Sequence, residues 1–375
     1  MIEQTRATLK KYWTVEDLVP VDIVLGAAVA SYLGSRLWLR VTGASRSGKT
    51  KILEAIGEYP DFFSLDSLTP ASIRGGLKGG GSLDELMNGK KLLIIKDFAS
   101  FSKMNRNKKA ELWALLRVVS DGEVKALYGS DAKLVRRTYD FNILMGMVKG
   151  TVDRVMEAQL GQRFIDMNWV IASPRKVQKQ IRLNKKRYGE NYEKELLVPE
   201  FRDAVAKLII ASKGIMVNNI IPEVNEKIGL LALQVAALRG GVPRDSDHNV
   251  IDAAQIEVPS TLTSNFLTLA KGICMTRAQD TIDWTVYKEI LRVAKDCIPS
   301  RRQMILREVL QGNKKKTKII NNTGIAKTLV DREVEDLKLL KVPDTLNTTG
   351  LANALINGRI WKDKSKPLNL DLEDE

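Results

Sequence analysis

Histidine is almost missing from this chain of 375 residues: His248 stands alone, in the polar run Asp245-Ser246-Asp247-His248-Asn249. In that setting it reads as a solvated loop residue, so Ser/His triads and histidine-held metal hydrolase sites have no material. Cysteine is as scarce. Cys274 and Cys297 give neither metal-ligand spacing nor a disulfide framework, and a reducing, cytoplasmic setting is the expectation. No apolar run reaches the roughly 20 residues of a membrane-spanning helix, and Met1-Ile2-Glu3-Gln4 carries no signal-peptide pattern. No membrane partner is expected. Acidic residues are in deficit, with 59 Lys and Arg against 45 Asp and Glu, for a formal charge of +14. That excess favours a polyanionic partner such as nucleic acid over the plainer reading of a generally basic protein. At 44% hydrophobic residues, the chain can bury the cores of two or three domains.

The most informative stretch is Gly43-Ala44-Ser45-Arg46-Ser47-Gly48-Lys49-Thr50. Its spacing, G-x-x-x-x-G-K-[ST], is that of the phosphate-binding loop, or Walker A element. The apolar run 37–42 reads as a buried strand before it, and 51–56 carries helical spacing after it. Glycines let backbone wrap a phosphate, and amides at the helix start converge on the anion. Lys49 is expected to reach the β- and γ-phosphates and Thr50 to give its hydroxyl to Mg²⁺, so ATP and Mg²⁺ are the expected cofactors. The plain alternative is a chance match in a turn rich in Gly, Ser and Lys.

Further along, Ser64-Leu65-Asp66-Ser67-Leu68 reads as a second strand and 75–81 as a glycine-rich loop. Lys91-Leu92-Leu93-Ile94-Ile95-Lys96-Asp97-Phe98 is a hydrophobic strand ending in one acid, the shape of a Walker B element. Asp97 is either the metal carboxylate, with Phe98 in place of a base, or the base, with Lys96 in place of the metal ligand; an ordinary strand-ending Asp is the bland reading. A basic amphipathic helix is expected over 105–120. Two strands, 123–128 and 141–147, then flank a polar tip at 129–137, a hairpin presenting Lys133, Arg136 and Arg137 to an anion, or a solvated turn. Strands alternating with helices to this point imply an α/β layer with a mostly parallel sheet.

Seven basic residues lie between Arg175 and Arg187, and helical periodicity dominates 197–298. The expected organisation is a nucleotide-binding core over 1–172, an all-helical lid over 173–298, a winged-helix DNA-binding domain over 299–365, and an acidic tail over 366–375, disordered. Within the third region, 317–340 has helix, glycine turn, helix grammar, placing Lys327, Thr328, Asp331 and Arg332 on the exposed face of the second helix. An ordinary helical hairpin is the alternative.

Assembled, these pieces resemble the AAA+ ATPases, and more closely the minichromosome-maintenance helicase branch with its phage and mobile-element relatives. The likeness covers most of 35–345. Lys96-Asp97-Phe98 falls where that family has Asp-Glu-Phe, and Gly161-Gln162-Arg163-Phe164 resembles its Ser-Arg-Phe element. The resemblance implies a catalytic set of Lys49, Asp97 and Arg163, with Arg163 as an arginine finger reaching a neighbour's nucleotide in a homo-oligomeric ring. It also implies Mg²⁺ at Thr50 and Asp97, a pore hairpin at 129–137, a lid helix ending at Leu238-Arg239, and a C-terminal winged helix. There are departures. The first sensor position reads Met147-Val148-Lys149-Gly150-Thr151, and the second falls near Thr261, with Arg239 and Arg244 as candidate substitutes. The function implied is an oligomeric DNA helicase or helicase-like motor in replication. The alternatives are a nucleotide-switched DNA loader or regulator that hydrolyses little, and a DNA-binding regulator whose phosphate loop serves stability alone.

Overall fold

The computed structural model describes residues 1–13, 15–45, 47–74, 83–98, 101, 104–128, 133–148, 163–170, 173, 175, 176, 178, 182, 198–342 and 370–373. In chain order the elements are α1 (Ile2–Tyr12), α2 (Val19–Val29), β1 (Trp38–Gly43), α3 (Lys49–Gly57), β2 (Phe62–Leu65), α4 (Pro70–Arg74), α5 (Leu83–Leu86), β3 (Leu92–Ile95) and α6 (Arg106–Asp121). Then follow β4 (Glu123–Tyr128), β5 (Lys133–Thr138), β6 (Asn142–Val148), β7 (Ile165–Asn168), α7 (Val198–Ser212), β8 (Asn219–Ile220) and α8 (Pro222–Arg239). The last are α9 (Pro259–Thr276), β9 (Thr281–Ile282), α10 (Trp284–Asp296), α11 (Ser300–Leu310), α12 (Lys316–Thr323) and α13 (Lys327–Leu339). The chain divides into two units: 1–152, 167–220 and 268–282 form the first, and 153–166, 221–267 and 283–375 the second.

The first unit holds an α/β core whose five-stranded parallel sheet runs β2-β3-β6-β1-β7. The centre of the sheet is apolar on both faces: Leu92–Ile95 of β3 and Asn142–Met147 of β6 are buried throughout, the pattern of parallel strands covered on both sides. Register sets Trp38 beside Ile143 and Leu92 beside Asn142. Residues 20–29 of α2 are all buried, and the helix lies against β1 and β6, as expected of a helix apolar on every side. Its one acid, Asp22, is buried and answered by Arg6 and by Arg277 at 3.1 Å. Helix α7, within the stretch expected to form the lid, packs on α1 and α3 in this unit.

Two strands differ from expectation. Strand β2 covers 62–65 rather than 64–68, because Phe62 and Phe63 align with Leu92 and Leu93 of β3. The apolar run 141–147 does not partner 123–128. It enters the parallel sheet as β6, while β4 pairs antiparallel with β5, Tyr128 opposite Lys133 and Glu123 opposite Thr138. A continuous apolar run suits a buried central strand; the mostly polar Lys-Leu-Val-Arg-Arg-Thr of β5 suits a two-stranded ribbon.

The second unit is mostly helical. Helix α8 packs on α10, whose start is capped by Asp283 accepting from the amides of Thr285 and Val286. Helices α11, α12 and α13 pack on one another. The turn between α12 and α13 passes through Gly324 at φ 69°, so 316–339 is a helix-turn-helix hairpin. Among the described residues no helix is long and apolar enough to cross a membrane.

Candidate functional site

Strand β1 ends at Gly43 and α3 begins at Lys49, so the 43–50 loop spans the carboxyl edge of the sheet, where open α/β sheets take their ligands. Gly48 sits at φ 87° at the start of α3, where no side chain caps the helix. Only glycine adopts that backbone without strain, and an uncapped helix start leaves amides available to an anion. Gly43 is fixed by space. A Cβ there would stand 3.1 Å from Trp169 Cβ and from its carbonyl oxygen. Trp169 braces the loop: its amide donates to the Thr42 carbonyl at 2.7 Å, and its indole Nε1 donates to the Ser47 carbonyl at 3.0 Å. Thr42 Oγ1 donates to Asn168 Oδ1 at 3.1 Å. On the other flank, the Trp13 ring lies 3.8 Å from where a Gly48 Cβ would be.

Lys49 is 5% exposed. Its Nζ donates to the Ala44 carbonyl at 3.2 Å, and it makes no ion pair among the described residues. Burial pushes its pKa down, with the charge of Asp97 acting the other way. Ser47 Oγ is buried without a hydrogen-bond partner among the described residues. Thr50 is half-buried at the first turn of α3, while Ala44 and Ser45 are exposed and Arg46 lies outside the described residues. A buried ammonium with no carboxylate, an orphaned hydroxyl and an uncapped helix start fit a phosphate group.

Asp97 is exposed, two residues beyond the end of β3, and its charge bears on Lys49. Its neighbours are occupied. Lys96 pairs with Asp66 at 2.8 Å, and Phe98 is fully buried, stacked on Phe101 with ring centroids 4.9 Å apart. The Phe98 amide donates to the Gly146 carbonyl at 2.9 Å, tying this corner to β6. No group of three or more carboxylate, His or Cys side chains among the described residues could hold a metal by itself. Mg²⁺ at a triphosphate asks for less: one or two protein oxygens plus phosphate and water, which Thr50 and Asp97 can supply.

Arg163 belongs to the second unit, half-buried just ahead of β7. The two arginines considered as sensor substitutes are engaged within that unit. Arg239 is buried, paired with Glu257 at 2.8 Å and donating to the Phe164 carbonyl at 3.0 Å. Arg244 donates to Glu335 and Asp336 of α13, each at 2.7 Å, and to the His248 carbonyl. Beside them Arg302 of α11 is buried, donating to the carbonyls of Leu238 at 2.9 Å and Gly240 at 2.7 Å and to Glu333 at 2.8 Å. This network neutralises both substitutes.

Lys133, Arg136 and Arg137 fall on strand β5 rather than in a tip; 129–132 lie outside the described residues. Arg136 is opposite Lys125 and Arg137 opposite Val124. Since alternate strand positions belong to opposite faces, 133 and 137 share one face of the ribbon and 136 the other. On α13, Lys327 and Thr328 are exposed and Arg332 is half-buried. Lys327 and Arg332 make no ion pair among the described residues, whereas Asp331 is paired with Lys316 at 2.9 Å. The expected wing and the glycine-rich loop 75–81 lie outside the described residues.

Trp169 and Trp13 are not legible as site residues in sequence: no motif marks them, and each reaches the loop from a distant segment. No family model matches the chain, and no curated protein compared with it matches.

Proposed function

We propose that this chain binds a nucleoside triphosphate with Mg²⁺ at the 43–50 loop and hydrolyses it, as an AAA+-type ATPase acting on DNA in the manner of a helicase or helicase-like motor. The observation that carries this reading is Lys49, a buried cation with no carboxylate partner among the described residues, at a helix start on the carboxyl edge of a parallel sheet, in the field of Asp97. Bound Mg²⁺-ATP would supply the scissile phosphoanhydride and the metal charge. Lys49 neutralises charge on the β/γ-phosphates, Thr50 and Asp97 hold the metal side, and Trp169 keeps the loop in shape through Ser47. Should Asp97 instead be the base, it takes the proton of the attacking water, and Mg²⁺ dependence separates the two roles. Arg163 acts as a finger on a neighbouring copy in a homo-oligomeric ring. The β4–β5 ribbon with Lys133, Arg136 and Arg137, and the α13 face with Lys327, Thr328 and Arg332, contact DNA phosphates. Of the stretch 173–298, the helices of the second unit, α8 and α10, serve as the lid, and 299–365 serves as a winged helix.

A second reading has a specific observation in its favour. Arg239 and Arg244 are both neutralised by groups of their own unit, which leaves no substitute for a second-sensor cation and suits a nucleotide-switched loader that hydrolyses little. DNA-stimulated ATP turnover, followed by strand displacement, tests both. Turnover with unwinding supports the motor; turnover without unwinding supports the loader. No nucleotide binding at all overturns both.

A further inference from the structure

Composition alone assigns the acidic C-terminus to disorder, yet residues 370–373 are placed against the helix-turn-helix. Leu370 is 3% exposed, an apolar anchor. Asp371 pairs with Lys338 of α13 at 2.8 Å, and this contact holds its carboxyl below the usual range. Glu373 adds a parallel bridge with Lys315: its amide donates to the Lys314 carbonyl at 3.0 Å, and its carbonyl accepts from the Lys316 amide at 2.9 Å. That second bond satisfies a donor at the start of α12 that the helix leaves open. The tail thus crosses the most basic stretch of the second unit, Lys314-Lys315-Lys316-Thr317-Lys318, where Lys314, Lys315 and Lys318 are exposed. Lys316 is turned to Asp331. The sequence continues past Glu373 with Asp374 and Glu375.

From this placement we infer that Lys314, Lys315, Lys318 and Lys338 form an additional surface for the phosphates of duplex DNA, and that the acidic tail occupies that surface until DNA displaces it. The inference rests on the DNA-binding reading above and extends it to the start of α12 and to Lys338 at the far end of α13. The physical balance favours exchange. Beyond Leu370, the contacts seen among the described residues are the exposed Asp371–Lys338 pair and two backbone bonds, which a denser polyanion can replace, since exposed pairs are weak and counterion release favours the polymer. Leu370 keeps the displaced tail tethered nearby.

The test is fluorescence anisotropy of a labelled DNA duplex with the full-length chain at several salt concentrations. In the variant Asp371→Asn, Glu373→Gln, Asp374→Asn, Glu375→Gln the charges go but the Leu370 anchor stays, so folding is preserved where truncation could disturb it. The expected result is duplex binding tighter by roughly three- to tenfold at low salt, the gap closing as salt rises. Adding Lys314→Ala, Lys315→Ala and Lys318→Ala should erase the gain. Equal affinity of wild type and neutralised tail would overturn the tail's role while leaving DNA binding intact. A gain that survives loss of the three lysines would place the competition elsewhere and overturn the surface assigned here. No binding by either protein would overturn the DNA-binding reading, and this inference with it.

Discussion

Two buried cations, one in each unit, carry opposite meanings. Lys49 of the first unit is buried, with a single carbonyl at 3.2 Å and, among the described residues, no counter-charge in contact. Arg302 of the second unit is buried to the same degree, with two carbonyls and the carboxylate of Glu333 within 2.9 Å. Burying a charge costs several kcal/mol unless it is paired. Arg302 is paired and therefore structural: it closes the C-terminal end of α8 and ties it to α13. Among the described residues Lys49 has only one carbonyl and the field of Asp97 set against that cost, a setting that fits an anion-binding site. Charge count alone would rank these residues together; surroundings separate them.

The comparison can be broken at either end. Lys49→Met should abolish ATP turnover, a loss of roughly a thousandfold or more, while the melting temperature of the nucleotide-free protein does not fall. Substantial turnover or a large loss of stability would make Lys49 structural like Arg302. Asp97→Asn should lower turnover by about a hundredfold or more. If Asp97 is the metal ligand, Mg²⁺-ATP binding weakens as well; if it is the base, binding stays intact. Normal turnover would remove Asp97 from the site. Arg302→Met is the mirror experiment. It strands Glu333 and two helix-end carbonyls, so unfolding free energy should drop by about 3–5 kcal/mol, read by denaturant titration, with nucleotide affinity of the folded fraction unchanged.

Smaller effects sharpen the picture around each site. Trp169→Phe keeps the ring against Gly43 but removes the indole donor to Ser47, worth about 1 kcal/mol, or roughly fivefold in nucleotide affinity. An unchanged affinity would show that the loop holds its shape without Trp169. Replacing Lys327 and Arg332 by Ala should lower the salt slope of log K for duplex by roughly one unit for each phosphate left without its cation. Replacing Lys133, Arg136 and Arg137 should instead remove DNA stimulation of turnover. If the two sets behave alike, the ribbon and α13 do not have separate roles.

What is legible in the sequence is whatever is contiguous. The strand, glycine loop and helix of 37–57 lie in one short segment, so local spacing predicts their geometry, and the parallel α/β core follows from alternating elements. Pairing is not legible. In sequence, 141–147 reads as the partner of 123–128 with 133–137 in a tip between them, and only the demand for a doubly buried central strand sends 141–147 into the sheet and leaves 133–138 to pair with 123–128. Arginine roles are not legible either. Arg239 and Arg244 look available in sequence, but Glu257, Glu335 and Asp336 reach them from 18 to 92 positions away. The acidic tail escapes for the same reason: composition favours disorder, while Leu370 and Lys338 supply an anchor that composition cannot show.

The most direct test is thermal unfolding of the full-length chain with and without Mg²⁺-ATP, for wild type, Lys49→Met and Arg302→Met. A ligand at about 100 times its Kd adds roughly 2.7 kcal/mol to the folded state, enough to shift the midpoint by several degrees. Wild type and Arg302→Met should both shift upward, the latter from a lower starting point, and Lys49→Met should not shift. An equal shift in Lys49→Met, or none in wild type, would contradict the claim that the buried Lys49 marks a triphosphate site.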